Sequence, residues 1–210
     1  MLSCLSCPAA VDADWVPSFS PLLGDRMTDS ASSLNIPEQE RCAFCDYLTG
    51  RRPFTVLRRD RLVVVLVTRE QRGLGHLLVL PARRYPTLLE SRRAECHELI
   101  DIVTWAAAAT DEAYERPGIA VWQDNGIAAH QAIPHLHFHV AATLPGGGTN
   151  FGDVPELGVA ETNQIAARIL STAPPIDDFR RGCTGVSTRR SGRAVMGTRT
   201  GPGSCKSCIR

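Results

Sequence analysis

The stretch His135-Leu136-His137-Phe138-His139 places three histidines at every second position, with apolar residues between them. Successive side chains of a β-strand point to opposite faces, so this spacing predicts that the three imidazoles share one face of a strand. Half of the six histidines of the chain lie in this stretch, which argues against a chance cluster. The pattern therefore indicates a site for protons, phosphate or a metal ion.

A polar loop precedes this stretch, and a further histidine motif lies upstream of both. The loop reads NGIAAHQAIP, from Asn125 to Pro134, and the upstream motif reads GHLLVLP, from Gly75 to Pro81. Together with the three histidines, these segments resemble the histidine triad (HIT) family of nucleotide hydrolases and transferases. The resemblance covers the chain from Arg41 to about Gly152, a little over half of its length.

Size and composition fit one globular domain. The chain has 210 residues, of which 43% are hydrophobic and 21% charged, and its net charge is +1. This charge gives no argument for binding to nucleic acid or to a membrane. No apolar run reaches the length of a membrane span, and residues 1–8 contain no Lys or Arg of the kind that opens a secretory signal. The sequence therefore predicts a cytoplasmic protein without membrane contact.

Composition divides the chain into three regions. Residues 1–40 are rich in Ser, Pro, Asp and Ala without periodicity, which predicts a disordered leader. Residues 41–173 form the predicted HIT-like domain. Residues 174–210 predict a flexible basic tail, which has six Lys or Arg and no Asp or Glu from Gly182 onward. A tail without a specific role is favoured over one that contacts nucleic acid.

Hydrophobic periodicity predicts an α+β fold. Strands are expected at residues 55–58, 62–67, 76–80, 119–123 and 135–141, a long helix at 90–115 and a weaker one at 161–170. The long helix has an apolar or small stripe, formed by Leu99, Val103, Ala106, Thr110 and Ala113. We expect a five-stranded, mostly antiparallel sheet with the long helix packed on one face, and the resemblance implies a homodimer.

The resemblance assigns a role to each of four histidines. A neutral imidazole can attack phosphorus, giving a phosphoramidate that water later cleaves. By resemblance, His137 is this nucleophile, His135 orients and polarises it, and His139 hydrogen-bonds at the phosphate and assists the leaving group. His76 would reach the same centre and fix ring tautomers. For His76 taken alone, a core histidine satisfied by hydrogen bonds is the alternative.

Other residues are expected to contact the substrate. Asn125 and Gln131 offer amide donors to phosphate oxygens without adding charge. Thr68 stands where the family usually has an acidic residue or Asn for the ribose hydroxyls, and His130 replaces the usual Gly. Apolar residues of the early strands are candidates for the nucleoside contact, with a plain core role as the alternative: Leu57, Val64 and Leu66.

Six of the eight cysteines form Cys-x-x-Cys pairs: Cys4/Cys7, Cys42/Cys45 and Cys205/Cys208. In a reducing compartment this spacing indicates metal or redox chemistry more often than structural disulfides.

The family resemblance relates one of these pairs to a structural zinc site. Cys42, Cys45 and His135 match three of its ligands, whereas the fourth ligand position falls on Arg84. Three ligands leave a tetrahedral site incomplete, so absence of zinc is favoured unless a side chain of the following helix replaces the missing ligand: Cys96 or His97. Catalysis in the family requires no cofactor.

The third histidine bears on the reaction. Transferase relatives look like His-x-His-x-Gln, so His139 favours water as the final acceptor. The predicted activity is hydrolysis of a nucleoside phosphoramidate, a dinucleoside polyphosphate or an adenylylated adduct at the α-phosphate. It proceeds through a nucleotidyl-histidine and releases a nucleoside monophosphate. The alternatives are a non-catalytic nucleotide-binding or sensor protein and a zinc-dependent adaptor.

Overall fold

The computed structural model describes residues 33–180. The predictions for residues 1–32 and 181–210, which cover most of the leader, most of the tail and two of the Cys-x-x-Cys pairs, lie outside this range. In chain order the elements are α1 (Ala43–Leu48), β1 (Val56–Arg59), β2 (Val63–Val67), β3 (Leu74–Pro81), α2 (Arg93–Tyr114), β4 (Ile119–Trp122), β5 (Phe138–Ala142), α3 (Val159–Thr172) and α4 (Asp177–Arg180). Short 3-10 turns lie at Leu88–Glu90 and Ile127–Ala129.

The five strands form one antiparallel sheet in the order β1-β2-β3-β5-β4. Every residue of β2 is buried, which agrees with its aliphatic composition. Alternate residues of β2 enter two different hydrophobic clusters on the two faces of the sheet, so that Val65 packs with α2 and Leu66 packs with Phe44 of α1. The predicted α+β sheet with a long helix on one face is confirmed.

The strand that carries the histidine motif is shorter than predicted. It begins at Phe138, because the amides of His135 and Leu136 bond to residues that lie outside the strands. The N–H of His135 donates to the carbonyl of Ile133, and that of Leu136 donates to the carbonyl of Tyr85. The prediction that all three histidines lie on one strand is therefore wrong for the first two. Side chains still alternate here, since Leu136 is buried in the cluster that contains α2.

The long helix buries the predicted stripe: Leu99, Val103, Ala106, Thr110 and Ala113 are all buried. At its start, the N–H of Arg92 donates to the Glu95 carboxylate at 3.0 Å, which satisfies one of the free amides of this end. None of the helices within residues 33–180 is both long and apolar enough to cross a membrane.

Residues on both sides of the predicted domain, residues 41–173, make contacts with it. Before it, the carbonyl of Asn35 accepts the N–H of Ile127 at 2.8 Å. After it, the indole N–H of Trp105 donates to the carbonyl of Pro174 at 2.9 Å, and α4 packs against α2. The predicted leader and tail thus each include residues that contact the folded domain.

Candidate active site

Three of the four predicted catalytic histidines line one cavity, with a volume of about 570 Å³. They are His76 from β3, His139 from β5, and His137 from the segment before β5. Thr68, predicted to contact the ribose, lines the same cavity, whereas His135 does not. This volume lies within the range of small-molecule sites in proteins.

The ring of His137 is held by one main-chain contact. Its Nδ1 lies 2.7 Å from the carbonyl oxygen of His135. A carbonyl only accepts hydrogen bonds, so Nδ1 carries the proton and Nε2 keeps a free lone pair. The side chain is 8% exposed, and burial lowers the pKa of His137 below its ordinary value. The ring is therefore neutral at pH 7, with an unprotonated nitrogen available to attack.

The rings of His76 and His139 form a hydrogen-bonded pair, with 3.0 Å between Nε2 of His76 and Nδ1 of His139. Nδ1 of His76 lies 2.9 Å from the carbonyl of Glu70 and 3.3 Å from the amide of Arg72. The shorter contact places the proton on that nitrogen, donating to Glu70. His139 then donates its Nδ1 proton to His76, which leaves Nε2 of His139 free.

Burial keeps this pair uncharged in the free protein. Burial, with a smaller contribution from neighbouring positive charge, lowers the pKa of His76 to about 4 and that of His139 to about 2. Gly75 precedes the first ring at φ +61°, where a Cβ would lie 2.3 Å from the ring of Tyr114. The Gly-His motif therefore reflects close packing of β3 against α2.

Aromatic rings flank the cavity histidines. Phe44 lies edge-on to His137, with ring centroids 5.0 Å apart. On the other side, Trp122 stacks on His139 at 4.6 Å, with the two planes 1° apart. Phe151 contacts Trp122 edge-on at 5.6 Å. The sequence motifs do not identify these aromatic residues; the one available signal is that Trp122 lies three residues before the polar loop.

The ring of His135 points away from the cavity and is completely buried. Its Nε2 donates to the carbonyl of Pro81 at 2.8 Å, which leaves the lone pair on Nδ1. That nitrogen lies 3.4 Å from Sγ of Cys42 and 3.8 Å from Sγ of Cys45. The contact between His135 and His137 is made by the main-chain carbonyl and not by the ring.

These three side chains form the metal-ligating group that the resemblance implied. The ligand atoms of Cys42, Cys45 and His135 lie within 4.8 Å of one another. Zinc binds cysteine sulfur and histidine nitrogen. A zinc-bound histidine usually donates its other N–H to a carbonyl or carboxylate, as His135 does here. Without a cation, burial and the neighbouring Cys42 raise the pKa of Cys45 to about 11.

A fourth protein ligand is absent from this group within residues 33–180. Arg84 is hydrogen-bonded instead, to the carbonyls of Gln39 at 3.0 Å and Pro134 at 3.3 Å. Neither candidate replacement from α2 belongs to the group: Cys96 or His97. The residues present thus provide three ligands of a structural zinc site and not four.

The two predicted amide donors are engaged by the protein. Oε1 of Gln131 accepts the N–H of Gly126 at 2.7 Å, and its Nε2 donates to the carbonyl of Pro86 at 2.6 Å. Oδ1 of Asn125 accepts the N–H of Leu88 at 2.9 Å. Neither amide lines the cavity, so their contact with phosphate stays a prediction.

His130 lies on the rim of the cavity in the left-handed conformation, with φ +67°. This conformation explains why the family usually has Gly at the position, since Gly adopts it without steric cost. His130 is exposed, and a bulky side chain there adds an imidazole to the cavity wall.

The apolar wall of the cavity differs from the predicted one. The three strand residues proposed for the nucleoside contact belong to the two hydrophobic clusters and do not line the cavity: Leu57, Val64 and Leu66. The wall is formed by other side chains: Phe44, Tyr47, Phe54, Leu78 and Ile133. Most of these come from α1 and the segment that follows it, which carry no histidine motif.

Comparison with known proteins identifies the family. The profile of the HIT domain matches residues 49–145. An uncharacterised HIT-like protein of Saccharolobus solfataricus is 31% identical over 103 residues, which cover 49% of this chain and 73% of that protein. The chain belongs to the HIT family, as the sequence motifs predicted.

Two further relatives have named activities. The adenosine 5'-monophosphoramidase hnt1 of Schizosaccharomyces pombe is 29% identical over 100 residues, covering 47% of this chain and 71% of the relative. The adenylylsulfatase HINT3 of Arabidopsis thaliana is 28% identical over 102 residues, covering 49% of this chain and 52% of the relative. The chain thus spans only about half the length of the second protein.

Solved structures agree on the fold. A HIT-like protein of Bartonella henselae has a TM-score of 0.59 at 23% identity, covering 64% of this chain and 97% of that protein. A zinc-bound histidine triad protein of Mycobacterium smegmatis has a TM-score of 0.54 at 21% identity, covering 62% and 94%. At this identity the likeness extends to the fold alone.

Proposed function

We propose that this protein is a nucleotidyl hydrolase that cleaves its substrate at the α-phosphate and releases a nucleoside monophosphate. The observation that carries the proposal is His137, whose Nδ1 is bound to the His135 carbonyl at 2.7 Å and whose Nε2 remains unprotonated beside the cavity. The named activities of two relatives, a phosphoramidase and an adenylylsulfatase, are both cleavages of an adenylyl group and support it.

In the first step, Nε2 of His137 attacks the α-phosphorus. The bond from phosphorus to the leaving group breaks, and its electron pair leaves with that group together with one proton. In the second step, water attacks the phosphorus of the nucleotidyl-histidine, the P–N bond breaks and the electron pair returns to Nε2. The sum consumes one water and restores the neutral ring.

His139 is proposed as the group that carries the proton. Its low pKa leaves it neutral in the free protein, but an anionic phosphate beside it stabilises the charged form and raises the pKa. Protonated in the substrate complex, His139 can donate to the leaving group and then accept a proton from the attacking water. The hydrogen bond to His76 fixes which nitrogen of His139 faces the phosphate.

A non-catalytic sensor of nucleotides is the second candidate. Thr68 favours it, because one hydroxyl stands in the cavity where the family usually places an acidic residue or Asn. A weaker hold on the ribose would reduce the precision with which phosphorus is placed against His137.

Release of AMP separates the two candidates. The purified protein is incubated with adenosine 5'-phosphoramidate and, separately, with diadenosine triphosphate, and AMP is quantified by chromatography. We expect release with at least one substrate and none with the His137→Ala protein. Binding of AMP without any release from either substrate would favour the sensor.

The remaining parts of the proposal concern the state of the protein. We propose a homodimer, a cytoplasmic location, and no requirement for a metal in catalysis. We also propose that the group of Cys42, Cys45 and His135 holds no structural zinc. The residue at the fourth ligand position is Arg84, whose positively charged guanidinium cannot coordinate a metal ion.

A further inference from the structure

The cavity has an aromatic wall on each side of its histidines. Phe44 contacts His137 at 5.0 Å, and Trp122 contacts His139 at 4.6 Å. The two imidazole centroids are 4.8 Å apart. If the α-phosphorus of a substrate lies against His137, the two groups attached to it can extend toward these two aromatic surfaces. The nucleoside needs only one of the surfaces, which leaves the other for the leaving group.

Phe151 enlarges the wall on the side of Trp122. Its ring meets the indole edge-on, with centroids 5.6 Å apart and planes at 66°. It is nevertheless 70% exposed, so the protein itself covers little of this ring. Phe151 lies beyond residue 145, where the match to the HIT domain ends, and it also lines the cavity.

This exposed ring stands on a fixed backbone. The N–H of Asn150 donates to the carbonyl of Arg72 at 2.7 Å. In return, the Arg72 guanidinium donates to the carbonyls of Asn150 at 3.2 Å and Gly152 at 3.0 Å, and it pairs with the Glu70 carboxylate at 2.7 Å. Both neighbours of Phe151 are thus held, so binding against the ring costs little ordering of the main chain.

We propose that Trp122 and Phe151 form a subsite for the leaving group and select leaving groups that carry an aromatic ring. The proposal rests on the proposed function and names the class of substrate. Aromatic rings bind each other in stacked or edge-to-face arrangements, which the exposed Phe151 ring and the half-buried Trp122 ring allow. The ring belongs either to an amine released from a phosphoramidate or to the second base of a dinucleoside polyphosphate. Ammonia, as a leaving group, would reach neither residue.

Two pairs of matched substrates distinguish these sources. The first pair is the benzylamidate and the cyclohexylmethylamidate of AMP, which differ in aromaticity but little in size. The second is diadenosine triphosphate and its analogue without the second adenine. For at least one pair we expect kcat/KM to favour the aromatic member by about tenfold, the upper part of the range for one aromatic contact. In Phe151→Ala the preference should fall to about twofold.

Leu89→Ala provides the matched control, since Leu89 is also 70% exposed and does not line the cavity. It should keep the preference of the unmodified protein. Equal kcat/KM within both pairs, or a preference that Phe151→Ala does not reduce, would overturn the subsite.

Binding to the His137→Ala protein tests the subsite independently of turnover. The same four compounds are titrated by calorimetry. A preference for aromatic members that depends on Phe151, without turnover in the unmodified protein, would retain the subsite and reject the hydrolase. Turnover without any preference would retain the hydrolase and reject the subsite.

Sedimentation at several protein concentrations tests whether a second copy of the chain covers Phe151 instead. If Phe151→Ala dissociates a dimer and leaves the substrate preference unchanged, a second copy covers this ring and the proposal fails.

Discussion

His135 and His137 are two residues apart, and the fold gives them opposite surroundings. His135 donates Nε2–H to the Pro81 carbonyl and turns its other nitrogen to two thiols, away from the cavity. His137 donates Nδ1–H to the His135 carbonyl and keeps Nε2 free at the cavity. A single main-chain carbonyl thus fixes the tautomer of each ring. The comparison shows that the hydrogen-bond acceptor behind an imidazole, and not the motif alone, decides what its second nitrogen can do.

The largest expected effect concerns His137. His137→Ala should lower kcat by about 10⁴-fold or more, because the substitution removes the nitrogen that forms the bond to phosphorus. Nucleotide binding, measured by calorimetry, should be largely retained. His97→Ala changes an exposed histidine of α2 and should leave kcat unaltered.

The intermediate gives a second measurement on the same residue. Brief reaction with a labelled adenylyl substrate, quenched in alkali, should yield an acid-labile adduct that maps to His137. An adduct on His135 would reverse the assignment of the two rings.

The next effect concerns proton transfer. His139→Ala should reduce kcat by about 10²–10⁴-fold, the usual cost of removing a general acid or base. The loss should be smaller for a substrate whose leaving group needs no proton, such as a p-nitrophenyl ester of AMP. Equal losses for both kinds of substrate would contradict a role in protonating the leaving group.

His135→Ala should reduce stability more than chemistry. The substitution leaves a void and an unpaired carbonyl in the core, and we expect the free energy of unfolding to fall by about 2–4 kcal/mol in denaturant titrations. The main-chain carbonyl that holds His137 is retained, so kcat should fall far less than in His137→Ala. If kcat falls equally in both, the ring of His135 acts in the reaction directly.

Acid should destabilise the protein through His76. Its pKa of about 4 in the folded chain lies below its ordinary value of 6.5, so the unfolded chain binds the proton first. The stability due to this ring is complete above pH 6.5 and is lost as the pH falls toward 4, by about 1.4 kcal/mol per pH unit. Denaturant titrations at pH 7, 6 and 5 should show at least this slope between pH 6 and 5, because the other buried histidines of the site also have lowered pKa values, and His76→Gln should remove one ring's share of it. An unchanged slope would show that His76 is not shielded from protons.

The smallest expected effect on activity concerns metal. Protein purified without added zinc should contain much less than one zinc per chain by elemental analysis. Arg84→His would complete the ligand set of Cys42, Cys45 and His135, and zinc content should rise toward one per chain. One tightly held zinc in the unmodified protein, lost on changing both cysteines to serine, would show that another group provides the fourth ligand.

Local patterns predicted much of the fold. The stripe of α2 and the aliphatic run of β2 are buried as predicted. Side chains point in directions that repeat at a fixed period along a helix or strand, so the local sequence pattern shows which faces are apolar. The start of β5 could not be predicted in this way. Whether residues 135–137 pair with a strand depends on acceptors supplied by Tyr85 and Ile133, and the spacing of the histidines is the same in either case.

By itself, the sequence determined the family, the antiparallel sheet with its long helix, and the set of histidines that could form the site. Only the tertiary structure decided which of them share a cavity. His135 meets Cys42 across 93 residues of chain, and Phe151 meets Trp122 from beyond the region that matches the family. Such contacts depend on how the elements pack and on which carbonyl each ring finds, since an imidazole's chemistry is set by the partners of its two nitrogens.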